Sequence, residues 1–225
     1  MLIHRRSVLA GLALAGLRPD FASAMQIVEA GTVLTASGQT TGQLRGEKRA
    51  LQVGEPVFID DMLATGEGAR LAARLGDATR LSLGERTRVR IDKFLVDRGG
   101  ELVLERGAML FDRPDNQPSG PLNVTTPFGL IAARGTKFFA GPSDGVFGVF
   151  VEHGVVTVAT KGGQVTLTNG LGTNLVNARQ APTEPGSWST LRIAQAEASV
   201  IGEASMESAP PAAAVPRGPR PAPKP

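Results

Sequence analysis

The amino-acid sequence predicts an all-β domain with one short C-terminal helix. Three observations carry that reading. Apolar residues recur with period 2 along most of the chain, glycine and aspartate punctuate the runs about every 8–12 residues, and one stretch alone has helical spacing and caps. Leu71, Ala73 and Leu75 alternate with small or charged neighbours, and Leu81 and Leu83 flank Ser82. The run from Thr87 to Asp92 places Val89 and Ile91 on one face. Leu102 and Leu104 face away from Val103 and Glu105. Residues 149–151 and 155–158 are apolar on either side of His153 and Gly154, a pair that reads as a hairpin turn. Val165 and Leu167 follow the Gly162-Gly163 turn, and Leu175 and Val176 close the series. The helical stretch is Leu191 to Ile201, with Ser189 or Thr190 to cap its start and Gly202 its end. Periodicity leaves sandwich, barrel and a short solenoid-like stack of hairpins open.

The ends of the chain read differently. His4-Arg5-Arg6-Ser7-Val8-Leu9 resembles a twin-arginine export motif, with Arg5 and Arg6 as the pair. A ten-residue apolar stretch diluted by Gly11 and Gly16 follows, then Ala22-Ser23-Ala24, the small-x-small pattern read by signal peptidase. Residues 1–24 are thus expected to be an export signal and the mature protein to be periplasmic, in a Gram-negative bacterium. Residues 208–225 hold seven prolines with Arg217, Arg220 and Lys224 among them, so 205–225 is expected to be a disordered basic tail. Between the ends, 25–52 reads as lead-in strands, 53–180 as the β domain and 187–204 as the helical region.

Composition excludes several function classes. The chain has 225 residues, no cysteine, no tyrosine, one tryptophan and two histidines. Without cysteine there is no disulfide framework, thiolate metal site or thiol nucleophile. No apolar run reaches the roughly 18 residues of a spanning helix, so no membrane span is expected in the mature chain. Removing the three basic residues and one acidic residue at each end leaves 18 basic against 19 acidic residues over 25–204, a net of −1. A near-neutral domain has no field to gather a polyanion, so nucleic acid is not an expected partner.

Nothing in the pattern assembles a catalyst. The mature chain's one histidine, His153, sits at the expected turn, and no serine has a base and an orienting acid near it in sequence. No metal and no cofactor are expected. Asp60 and Asp61 point to opposite faces of a strand and read, with Glu67, as a solvated strand end rather than a calcium site. Arg86, Arg88 and Arg90 have a spacing of two, which puts three guanidiniums on one strand face. That row is a candidate surface for an anionic cell-wall polymer, or a charged edge that resists aggregation, with Asp92, Asp97, Glu101 and Glu105 near enough to neutralise it.

The middle of the chain resembles a known family. Residues 71–83 read Leu-Ala-Ala-Arg-Leu-Gly-Asp-Ala-Thr-Arg-Leu-Ser-Leu, a strand, a tight Asp-containing turn and a second strand. Leu102 to Ala108 follows, with Gly107, and then Phe111. Val124-Thr125-Thr126-Pro127 comes next, then Ala133 to Phe138 with Gly135, Thr136 and Phe138, and finally Phe150 to Val158 with Gly154. In that order these segments resemble the FecR domain over roughly residues 53–160. The resemblance implies an all-β domain whose signature residues, Gly107, Gly135, Thr136, Phe138 and Gly154, determine the fold. It implies a non-enzymatic interaction module in envelope sensing, signalling or transport regulation, with a periplasmic or envelope protein as partner. The chain departs from the family's transmembrane regulators, because it shows neither a cytoplasmic anti-sigma segment nor a membrane helix. Its turn, Gly76-Asp77-Ala78-Thr79, also departs from the family's Asp-Gly. A glycan- or cell-wall-associated binding protein is the alternative. Exposed tryptophan or tyrosine platforms would favour it, and the chain offers Trp188 alone.

Overall fold

The computed structural model describes residues 27–95, 99–114 and 120–202. The expected export signal, with Arg5, Arg6, Ala22 and Ala24, and the tail over 205–225 lie outside the described residues. Among the described residues, sixteen strands join in one sheet. The sheet divides where two long strands, β12 (Leu130–Ser143) and β13 (Val146–Thr160), form a hairpin that belongs to both halves. The first part of β12 pairs with β11 (Leu122–Thr125), and the last part with β10 (Met109–Asp112). On its other side, β13 pairs first with β15 (Leu171–Leu175) and then with β14 (Gly163–Leu167).

One half continues from β11 through β9 (Gly99–Arg106), β8 (Arg88–Leu95), β5 (Met62–Thr65) and β2 (Thr40–Leu44) to β3 (Glu47–Ala50). The other continues from β10 through β7 (Thr79–Leu83), β6 (Arg70–Leu75) and β1 (Glu29–Ser37) to β4 (Pro56–Phe58). The strands expected as a lead-in over 25–52 are therefore part of the same sheet, β1 in one half and β2 and β3 in the other.

The halves face one another across a single core. Leu63, Val89, Ile91, Leu104, Val124 and Ile131 come from the first half, and Leu71, Leu75, Leu81, Met109, Phe111 and Phe138 from the second. Each sits at an alternate position of its strand, as a pleated surface requires. The intermediate positions of the second half are apolar too. Leu110, Phe139 and Phe150 form a second cluster on its outer face, where α1 (Thr190–Ile201) lays Ala196 and Val200 over them beside Trp188. Phe138 and Phe139 are thus both buried, in different cores. The helix opens with Ser189 Oγ accepting from the Arg192 amide and closes at Gly202, as its sequence caps direct.

The hairpin differs from expectation. His153 and Gly154 lie inside the 15-residue β13 and form no turn. The turn is Asp144-Gly145, with φ of 54° and 76°, the left-handed pair of a two-residue hairpin loop. Gly135, at φ 53°, and Gly154, at φ 93°, mark instead the place where the register shifts and the hairpin passes from one half to the other. Thr136 Oγ1 donates there to the His153 carbonyl at 2.7 Å, tying the two strands together at the bend. The signature glycines Gly135 and Gly154 lie in strand interiors, and Gly107 alone joins two strands, β9 and β10.

Candidate functional site

Strand directions give the sandwich a closed end and an open end. The hairpin bend at Gly135 and Gly154 is at the closed end. Its tip at Asp144-Gly145 and the β11–β12 turn over residues 126–129 return to the open end. There, Phe128 of the first half stacks on Phe147 of the second with ring centroids 4.6 Å apart.

Beside that pair a cleft of about 630 Å³ enters between the halves. Pro127 and Phe128 line one wall, Pro142, Val146, Phe147, Leu175 and Val176 the other, and Glu105, Arg106 and Gly107 the rim where β9 crosses to β10. The walls are built by local chemistry. Thr126 Oγ1 accepts from the amides of Phe128 and Gly129 at 3.2 and 3.1 Å, and so presents Pro127 and Phe128 at the mouth. Buried Thr87 holds the rim, accepting from the Ala108 amide at 3.0 Å. Gly107 is packed so closely against it that a Cβ there would lie 2.2 Å from Thr87 Oγ1. Val176 is 64% exposed at the mouth. Such a surface buries apolar groups of a ligand or partner and orients them with few polar contacts.

The arginine row is not a bare cationic strip. Arg88 and Arg90 lie on β8, but Arg86 precedes it in a turn, at φ 49°. Each meets a carboxylate: Arg86 and Glu67 at 2.8 Å, Arg88 and Glu105 at 3.2 Å, Arg90 and Asp92 at 3.4 Å. The acidic group read as a solvated strand end is different too. Asp61 is fully buried and receives both Nη atoms of Arg49, one at 3.1 Å, with the Phe58 amide beyond. Arg49 also lies over the Phe58 ring, 5.2 Å from its centroid. Asp61 thus anchors edge strand β3 to the β4–β5 connection.

Trp188 is no open platform for a sugar. It stacks on Phe150 at 5.3 Å, lies over Gly148 and Gly172 with no room for a side chain at either, and is covered by Arg192, 3.6 Å from the indole centroid. Arg192 is tied in turn to Asn174 Oδ1 at 2.7 Å.

One ionisable cluster joins the helix to the sheet. Lys137 of β12 pairs with Glu152 of β13, and Glu197 of α1 approaches both. Burial, then the Glu152 charge, pushes the Glu197 carboxyl above its ordinary value, against the pull of Lys137. Burial lowers Lys137, but Glu152, Glu197 and Asp112 together outweigh it and the ammonium is held above its ordinary value. Among the described residues no three or more His, Cys, Asp or Glu side chains are grouped to hold a metal ion. Nor is any helix among them long and apolar enough to cross a membrane.

Residues 61–157 match the family model described as FecR protein. That segment is a FecR domain. No curated protein matches the chain. Two crystal structures of a "putative anti-sigma factor" from Parabacteroides distasonis are similar to part of it, each at 18% identity and a TM-score of 0.49. The similarity covers 59% of this chain and 62% of that one, so the chain spans less than two thirds of that protein. The matched segment holds the hairpin bend at Gly135 and Gly154 and the β9-to-β10 crossing at Gly107 on the rim of the cleft. Phe128, Phe147 and Val176, which make the mouth, escaped the sequence reading. Phe128 and Phe147 each adjoin a turn, an available signal, but only closure of the sheet brings the three together.

Proposed function

We propose that this chain is a non-enzymatic periplasmic interaction module, and that its β domain, of which the FecR segment is the larger part, docks an envelope protein at the open-end cleft in sensing, signalling or transport regulation. The family is one of envelope-associated regulatory proteins, and the match to it supports this class. The observation that carries the site is the apolar mouth, with Phe128 stacked on Phe147 and Val176 left exposed. The twin-arginine-like motif at Arg5 and Arg6 supports export. Arg86, Arg88 and Arg90, each held by a carboxylate, offer an anionic wall polymer less than three free guanidiniums would.

The test is crosslinking in cells of the tagged, exported chain, with recovery of what is joined to it. One protein should be enriched with the native chain, depleted with Val176→Asp and retained when Arg86, Arg88 and Arg90 are all alanine. Recovery of wall fragments that depends on the arginines and ignores Val176 would overturn the reading in favour of polymer binding.

A further inference from the structure

We propose that the segment docked at the open-end cleft is acidic as well as apolar. A large apolar side chain enters between the halves, and a carboxylate beside it in the same segment is received by Arg106 on the rim. The inference rests on the reading of the cleft as a docking site for an envelope protein and names the chemistry of that partner.

The first argument is charge. The walls of the cleft carry no charged side chain, and its rim carries Glu105 and Arg106. Glu105 is taken, because its carboxylate meets Arg88 at 3.2 Å. The acidic groups of the turns beside the rim are engaged as well. Glu67 pairs with Arg86 at 2.8 Å, Glu85 accepts from the Gly68 amide at 2.8 Å, and Asp144, at the hairpin tip, supports the charge of Arg192. No ion pair among the described residues includes Arg106, which is exposed. The mouth is thus an apolar surface with an uncompensated guanidinium at its edge. The planar fork of an arginine suits a carboxylate, and a rim charge selects its partner by sign.

The second argument is how the rim is built. Arg88 of β8 stands opposite Arg106, yet the next residue, Val89, stands opposite Leu104, so Glu105 is the extra residue of a β-bulge. A bulge bends its strand and re-aims the side chains beside it. On the other side of Arg106, Gly107 is left-handed at φ 87° and has no room for a side chain against buried Thr87. Arg106 is therefore held between two departures from regular strand geometry. The bulge separates the neighbours, leaving Glu105 to Arg88 and Arg106 to the cleft. The stacked Phe128 and Phe147, with exposed Val176, supply the seat for the apolar side chain.

Two capped tripeptides are the probes, acetyl-Leu-Phe-Asp-amide and acetyl-Leu-Phe-Lys-amide, titrated into the isotope-labelled full chain and followed by amide NMR. At low salt the acidic peptide should bind about tenfold more tightly than the basic one. It should shift the amides of Gly107 and Val176, and the preference should shrink as salt rises. Arg106→Glu should reverse the preference. Because Arg106 is exposed, that variant should melt as the native chain does. Equal affinity of the native chain for the two peptides overturns the proposal, and so does an acidic preference that survives Arg106→Glu. Capture in cells separates this proposal from the docking reading beneath it. Capture lost with Val176→Asp and with Arg106→Glu supports both. Capture lost with Val176→Asp but undiminished with Arg106→Glu leaves the docking and overturns the acidic partner. Reversal of the peptide preference, with capture indifferent to either substitution, supports the acidic and apolar specificity of the cleft and removes the envelope protein as its occupant.

Discussion

Gly135 and Gly154 face each other at the bend of the long hairpin, and the two are not equivalent. Gly135 sits at φ 53°, a left-handed conformation that costs an L-residue about 1–2 kcal/mol. Gly154 is left-handed and crowded as well: a Cβ there would stand 2.3 Å from the Gly135 carbonyl oxygen. Backbone cannot swing aside as a side chain can. Gly135→Ala should therefore cost about 1–2 kcal/mol, and Gly154→Ala about 3 kcal/mol or more, because strain and overlap add. Equal losses in paired thermal or urea melts would contradict the asymmetry. Asp61 is the second residue whose environment decides its role. Its carboxylate is fully buried and its chief partner, Arg49, keeps partial access to water. Asp61→Ala should cost about 2 kcal/mol, the range for lost hydrogen bonds to a charged group. A loss below half that amount would mean that water replaces the carboxylate.

The helix is the element whose stability depends most on its surroundings. Twelve residues are marginal as an isolated helix, so α1 exists because the outer face of the second half is apolar. Trp188, the chain's one tryptophan, anchors its start and reports on it. Native fluorescence should be blue-shifted, and Gly172→Ala, whose Cβ would meet the indole, should shift it red while the far-ultraviolet signature of the sheet persists. An unchanged emission spectrum would remove the proposed seat. At the other end of the helix, Glu197 gives the docking a pH dependence. Its carboxyl is raised in the folded protein by burial and by Glu152, against Lys137 and with Asp112 also near the lysine. The folded chain therefore binds the proton more tightly than the unfolded chain does. Stability should rise as pH falls from neutrality through the raised value toward the ordinary glutamate value. The raised Lys137 contributes below the ordinary lysine value and loses that contribution only in the alkaline range, so it does not act in this window. Glu197→Gln should raise the melting temperature at neutral pH and flatten the acidic slope, and identical slopes in the two proteins would exclude Glu197 as the source.

At the scale of the molecule, the FecR match and the folded unit have different limits. The match ends at Thr157, inside β13, yet β13 still needs β14 and β15 beside it and the second half still needs α1 over Phe139 and Phe150. A chain ending at residue 160 exposes those rings and an unpaired strand edge, and it should aggregate or lose cooperative melting. A chain ending at residue 202 keeps every described contact and should melt as the full chain does. Cooperative unfolding of the shorter chain would show that the strands after β13 are accessory. Export belongs to this scale too. Replacing Arg5 and Arg6 together by lysine should leave precursor in the cytoplasm, and normal recovery of mature protein from the periplasm would remove the twin-arginine assignment.

Local pattern was enough for much of this protein. Period-2 alternation placed Val89, Ile91, Leu81 and Leu83 in the core, the caps Ser189 and Gly202 bounded the helix, and five short segments in order identified the FecR domain, because each of these depends on neighbours within a few residues. Other assignments went astray where a residue's partner is remote. His153 and Gly154 resembled a turn because a glycine between apolar runs looks alike at a hairpin and at a bend. Asp61 looked solvated because Arg49, twelve positions away, is its partner only after β3 meets the β4–β5 connection. The three arginines looked like one row because strand spacing says nothing of the turn that Arg86 occupies. The cleft was the least legible feature. Its walls come from strands on opposite halves of one sheet, and Phe128 meets Phe147 only when that sheet closes on itself. Periodicity determines which face of a strand is buried, whereas closure of the sheet, a balance of long-range packing, determines which surface remains for a partner.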